Sequence, residues 1–222
     1  MPQKLFGQSP VIGFLWGALL IAAIASMALG RWPLGFVALG TLALATAPVF
    51  LASRFNIRLP VPLLAAMTLF IIGSVFLGEA FDFYEKLWWW DLVLHGTSAI
   101  GLGLIGFLFM FMLFEGDRYA APPISVSFFA FCFAMTCGAI WEIFEYLMDL
   151  SFGLNMQKSG LDDTMSDLMI DAGGAFIGAL SGFIYLKGRN IVLTTAIIND
   201  FVKLNRRLYH KSRDRLRRRH RS

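Results

Sequence analysis

Residues 88–114 read WWWDLVLHGTSAIGLGLIGFLFMFMLF, and after His95 the stretch holds no charged residue to its end. About 20 apolar residues rising 1.5 Å each cross a hydrocarbon core of ~30 Å, so the stretch has the length and character of a membrane span. Its first turn is different: three tryptophans and Asp91 come first, and His95 lies one turn further in. Tryptophan is enriched where lipid headgroups meet water. The segment therefore reads as a helix with a polar end at one membrane face and an apolar body below it.

Five other stretches have the same character: residues 11–29, 33–52, 61–81, 124–148 and 164–186. The chain has 222 residues, is 57% hydrophobic and only 15% charged, where soluble domains carry about 25% charged residues. Six such runs cannot all be interior helices of one small soluble domain. Lys4 precedes the first run and Ser26-Met27-Ala28 resembles a signal-peptidase site, but the run exceeds a usual signal core of about 7–15 residues, so the span is expected to be retained. The sequence predicts an all-α integral membrane protein: a six-transmembrane-helix bundle over residues 1–187, then a tail over 188–222. Cys132 and Cys137 sit inside one span and read as small buried residues.

The charges are segregated. Twelve of the nineteen Lys and Arg residues follow residue 186, and thirteen of the fifteen acids lie between Glu79 and Asp171. In the tail, Ile197, Phe201, Leu204 and Leu208 recur at helical spacing and a run of arginines follows. This predicts a basic amphipathic C-terminal helix drawn to anionic inner-leaflet lipids. Nucleic acid is not an expected partner, because the patch has one flanking aromatic, Tyr209, and no fold of its own. Basic residues mark the cytoplasmic side. The tail, the loop with Arg54 and Arg58, the loop with Arg118, and Lys4 are thus expected inside, with both termini cytoplasmic.

On that topology eleven of the fifteen acids gather at the outer face. Counting about 20 residues from each cytoplasmic helix end brings Glu79, Asp91, His95, Glu142, Glu145, Asp163 and Asp167 close to one plane, with Asp171 about a turn deeper. Asp91 and His95 are four apart. Glu142 and Glu145 are three apart, and Asp163, Asp167 and Asp171 are each four apart, so each set shares a helix face. Like charges so placed repel, and charges within a bilayer are costly. Lys86 and Lys158 are too few to balance them, so a divalent cation or protons are expected to do so. His95, Glu142, Glu145, Asp163, Asp167 and Asp171 are expected to converge on one divalent metal, with Glu79 and Asp91 as further candidate metal ligands at the same face. Oxygen ligands suit Mg, Mn or Ca, and an imidazole also admits Zn. A purely structural reading stands beside this one: Asp91, Asp162 and Asp163 begin helices, where carboxylates favour the helix dipole, and interfacial acids can be hydrated, as expected for Glu85. Gly174, Gly178 and Gly182 are four apart, a pattern for close helix packing.

At these residues the chain resembles the YjdF-like family of bacterial inner-membrane proteins. The shared features are Gly78-Glu79 with Asp82, Trp90-Asp91 with His95 and Ser98, residues 141–146 (WEIFEY), and Asp163-Thr164 through Asp167-Leu168 to Asp171. More distantly, Glu145, Gln157 and residues 167–178 are similar to VanZ-like membrane proteins, although an arginine expected before the last helix is missing. Both resemblances imply a multi-pass protein of the bacterial plasma membrane with a role on the cell-envelope side. The leading expectation is a metal-dependent hydrolase or transferase acting on a lipid or lipid-linked envelope substrate at the outer interface. A cation or proton-coupled transporter and a non-catalytic envelope-binding protein are the alternatives. No HExxH or DDxxD motif is present.

Overall fold

The computed structural model describes residues 9–114, 121–189 and 191–206. Lys4, Arg118, Leu208 and the arginine run of the tail, which support the orientation and lipid readings, lie outside the described residues. The elements are α1 (Pro10–Ala28), α2 (Trp32–Arg54), α3 (Val61–Ile71), which continues as a π-helical segment (Ile72–Glu79), α4 (Phe83–Lys86), α5 (Trp90–Leu113), α6 (Pro123–Phe152), α7 (Leu161–Leu186) and α8 (Val192–Leu204). Among the described residues there is no strand. Six of the helices among the described residues are long and apolar enough to cross a membrane, with α3 and its π-helical continuation counted as one. The chain is an all-α, multi-pass membrane protein, as expected.

Two compact units divide the chain, residues 1–90 with 199–205, and residues 91–198 with 206–222. In the first unit, Ile12 and Trp16 of α1, Ala45 and Val49 of α2 and Leu64 of α3 form a buried apolar cluster. Proline opens several helices where its missing N–H costs nothing; Pro10, for example, follows the Ser9 cap of α1. Thr41 and Thr46 turn their hydroxyls back onto carbonyls of α2, which removes unpaired donors from an apolar environment.

The π-helical segment was not anticipated from the sequence. Such turns shift the backbone hydrogen-bond register, and here the Trp90 indole donates to the Gly73 carbonyl at 3.2 Å. Trp90 also meets the Phe83 ring edge-on, with centroids 5.0 Å apart. Trp90 thus packs against protein, whereas Trp88 and Trp89 are exposed as an interfacial belt requires. Asp82, in a left-handed conformation, pairs with Lys86 at 3.5 Å in an exposed position, where an ion pair contributes little.

Helix α8 confirms only part of its expected apolar face. Ile197, Ile198 and Phe201 are buried, while Leu204 is exposed and Asn205 is buried in its place. The Asn205 side chain explains the exchange. Its Oδ1 accepts from the Arg58 N–H at 2.7 Å, and its Nδ2 donates to the Arg58 carbonyl at 2.8 Å. The end of α8 is clasped to the segment after α2.

In the second unit, one face of α7 runs against α5. A Cβ on Gly174 would meet the Gly96 carbonyl and Ala99, and one on Gly178 would meet the Ile100 carbonyl and Gly103. Gly182 lies under the Phe107 ring. The four-residue glycine spacing therefore serves close packing, as expected. Gly106 of α5 receives Phe133 and Ala130 of α6 in the same way. Below this, Phe107, Phe111 and Tyr185 form an aromatic cluster with centroids 5.7–6.1 Å apart. Polar side chains are thus gathered toward the start of α5, the last third of α6 and the start of α7.

Candidate metal centre

Asp91 lies in the first turn of α5, and His95 follows one turn later. Glu142 and Glu145 are the two buried carboxylates of α6. Asp163 lies in the first turn of α7, and Asp167 and Asp171 follow on the same face, both buried. Three helices of one unit therefore deliver seven of the eight expected residues to one end of that unit. Glu79, the eighth, ends the π-helical segment of the other unit.

The His95 imidazole is the centre of the arrangement. Its Nδ1 meets Asp171 Oδ1 at 3.3 Å. An ionised carboxylate only accepts, so in this pair Nδ1 donates and the Nε2 lone pair faces the other way. There it meets three carboxylates at nearly equal range: Glu142 Oε1 and Asp167 Oδ2 at 3.8 Å and Asp91 Oδ1 at 3.9 Å. These separations are too long for hydrogen bonds. They suit a shared ion, because two donors each ~2.1 Å from one metal lie about 3 to 4.2 Å apart, from cis to trans.

Burial makes the arrangement expensive. Glu142 is 4% exposed and Asp167 and Asp171 are each 2% exposed. The Thr164 hydroxyl approaches Glu142, yet neither Glu142 oxygen has a partner at hydrogen-bond geometry, and Asp171 Oδ2 has none either. A buried, unpaired carboxylate costs several kcal/mol, roughly, unless a cation or proton compensates it. Among the described residues there are two groups in each of which the donor atoms lie within 4.8 Å of one another: His95 with Glu142 and Asp167, and Asp91 with Asp163 and Asp167. Either group can hold a metal ion.

The remaining expected residues divide by contact. Glu145 is buried, and its Oε1 accepts from the Trp141 indole at 3.0 Å; it belongs to neither donor group. Asp171 contacts the imidazole nitrogen on the far side from Glu142 and Asp167. That is the position of a carboxylate that orients a metal-binding histidine. Asp149 accepts from the backbone N–H groups of Met156 and Gln157 at 2.7 and 2.9 Å, which spends it on the loop between α6 and α7.

Sequence reasoning missed two supports. Gly138 of α6 faces Asp171, whose Oδ2 occupies the place a Cβ would take. Its signal was available, since Gly138 is one helical turn before Glu142 and hence on the same face. The Trp141 indole was read only as part of a shared motif, although Trp141 and Glu145 are four apart and so share a helix face.

Six membrane-length helices and a buried carboxylate–imidazole cluster define a multi-pass membrane protein with a possible metal-binding centre. The chain belongs to the family described as predicted membrane protein (DUF2238), whose pattern matches residues 9–188. This agrees with the YjdF-like resemblance. An uncharacterized protein of Thermotoga maritima is 32% identical over 112 residues, which cover 49% of this chain and 57% of that protein. The match thus spans little more than half of that curated relative. No solved structure matches the chain significantly.

Proposed function

We propose that this protein binds a divalent cation through His95 Nε2, Glu142 and Asp167, with Asp171 holding the imidazole in its ligating orientation. The observation that carries the reading is the set of carboxylate oxygens standing 3.8–3.9 Å from Nε2, one of them from a glutamate with no hydrogen-bond partner. A divalent cation satisfies the distances and balances the charges of Glu142 and Asp167. Mixed imidazole and carboxylate ligation suits Mn, Zn or Fe, and Mg less well. Glu145 is a hydrogen-bonded neighbour in this reading, and no ligand role is assigned to Glu79.

The chemistry proposed for the ion is Lewis-acid assistance to hydrolysis or group transfer on a lipid or lipid-linked envelope substrate. A metal polarises a phosphoryl or carbonyl oxygen and lowers the pKa of a bound water. With the first turns of α5 and α7 at the outer interface in this reading, lipid headgroups would share their depth, which favours a lipid over a soluble substrate. The YjdF-like resemblance supports a bacterial plasma-membrane location, and the basic bias of the tail and of the Arg54–Arg58 segment supports cytoplasmic termini with the cluster on the envelope side. A His210→Cys variant should then react with an impermeant thiol reagent only after permeabilisation; labelling in intact cells would reverse the orientation.

Elemental analysis of the purified full chain, with melting curves recorded with and without MnCl2, tests the metal reading. Bound metal and a raised melting temperature are expected, since a ligand at a hundred times its Kd adds about 2.7 kcal/mol. Absence of both in folded protein would overturn it.

A further inference from the structure

Asp167 belongs to both donor groups. With His95 and Glu142 it completes a buried set containing one nitrogen. With Asp91 and Asp163 it completes a second set, made only of carboxylate oxygens, in which Asp91 and Asp163 are half-buried; Asp91 Oδ1 also stands 3.9 Å from His95 Nε2, so the two sets adjoin. Asp167 Oδ2 faces His95, and a carboxylate has a second oxygen to offer. We propose that the centre is a two-ion site bridged by Asp167, an inner position ligated by His95 and Glu142 and an outer position ligated by Asp91 and Asp163. The proposal rests on the metal reading above and extends it from one ion to two.

Three considerations favour two ions. The first is charge. The two donor groups contain four carboxylates, Asp91, Glu142, Asp163 and Asp167. One divalent ion leaves an excess of two negative charges in a place where a single uncompensated charge is costly. Two divalent ions balance the four.

The second is the state of Glu142. This side chain is 4% exposed, has no hydrogen-bond partner for either oxygen, and points at His95. It commits a full carboxylate to the inner position, so that position does not need both oxygens of Asp167. The third is donor chemistry. The inner set, with imidazole, accepts Mn, Zn or Fe, while the outer, all-oxygen set suits hard ions such as Mg, Mn or Ca. The two positions are therefore chemically distinct, and two ions about 3.5–4 Å apart form the clamp used to hold both oxygens of a displacement at phosphorus.

The test uses the purified full chain loaded with Mn and dialysed, with Mn per chain measured by elemental analysis and exchange coupling read by electron paramagnetic resonance. Wild-type protein is expected to hold two Mn with a coupled signal. Asp163→Asn should hold one Mn with an uncoupled signal, and Glu142→Gln should also fall to one. Asp91→Asn repeats the outer-site arm if Asp163→Asn does not fold. One uncoupled Mn in the wild type overturns the two-ion inference and leaves the single-metal reading standing. Two Mn without coupling, or a second Mn unaffected by Asp163→Asn and Asp91→Asn, identifies an adventitious ion and likewise overturns it. No bound Mn in the wild type removes both readings together.

Discussion

Helix α7 uses one face in two ways. Its first half presents Asp163, Asp167 and Asp171, and its second half presents Gly174, Gly178 and Gly182. Both halves meet α5, the first through the His95 imidazole and the second through direct backbone approach. The glycine half is specified by shape, since any added atom meets fixed backbone. The acidic half is specified by charge, and its like-charged neighbours favour contact with α5 only when something positive lies between them. One element thus carries a contact set by shape and a contact set by charge.

The sharpest way to break this contrast is at Gly178. Gly178→Leu would drive a side chain into the Ile100 carbonyl and Gly103, which cannot rotate aside. A loss of about 3 kcal/mol or more is expected, read as a collapse of the melting temperature in detergent with or without Mn. If the variant melts like wild type, the close approach of α5 and α7 is wrong.

Asp167→Asn addresses the other half. It keeps shape and removes the charge common to both donor groups. Outer contacts to metal ligands are worth about 10–100-fold in affinity, and a shared ligand should exceed that. Mn affinity should fall more than ~100-fold by calorimetry, while the metal-free melting temperature stays level or rises as repulsion is relieved. Unchanged Mn affinity would detach Asp167 from the site.

Asp171→Asn should have a smaller effect, about 10–100-fold in Mn affinity, because Asp171 acts through His95. Its signature is a weakened but complete site, with metal stoichiometry retained. Loss of a whole ion would instead make Asp171 a ligand. Glu85→Gln is the baseline: Glu85 is exposed on α4, and exposed substitutions stay within about 0.5 kcal/mol. A change in Mn binding there would extend the centre to residues beyond the two donor groups.

The legibility of this protein in its sequence follows the same division. Runs without charge declared the spans, because a lipid environment tolerates little else. The span ends were less clear. Helix α6 continues to Phe152 rather than residue 148, since Asp149 caps the following loop, and Gly153 in a left-handed conformation ends the helix. The π-helical segment was invisible, because its register depends on a neighbour such as the Trp90 indole and not on composition. In the centre, spacing along each helix correctly put Asp91 with His95 and Asp163 with Asp167. Spacing carries no information on how one helix is rotated against the next. For that reason the division of labour around His95, with Asp171 on Nδ1 and Glu142 and Asp167 on the Nε2 side, became visible only in three dimensions. The glycine stripe was legible in advance because it is a property of one helix alone.

The loop between α6 and α7 has a thermodynamic role. Asp149 holds the Met156 and Gln157 amides, and the Gln157 side chain donates to the Thr164 hydroxyl at 2.6 Å. This chain of contacts joins the end of the helix bearing Glu142 to the start of the helix bearing Asp163 and Asp167. The conformational entropy of bringing those carboxylates together is therefore lost during folding and not on ligand arrival. On the proposed metal reading, an incoming ion would meet a population already in the competent arrangement, and its apparent Kd would not be raised by a rare open state. In that reading a loop that supplies no ligand sets how much of the intrinsic affinity is realised.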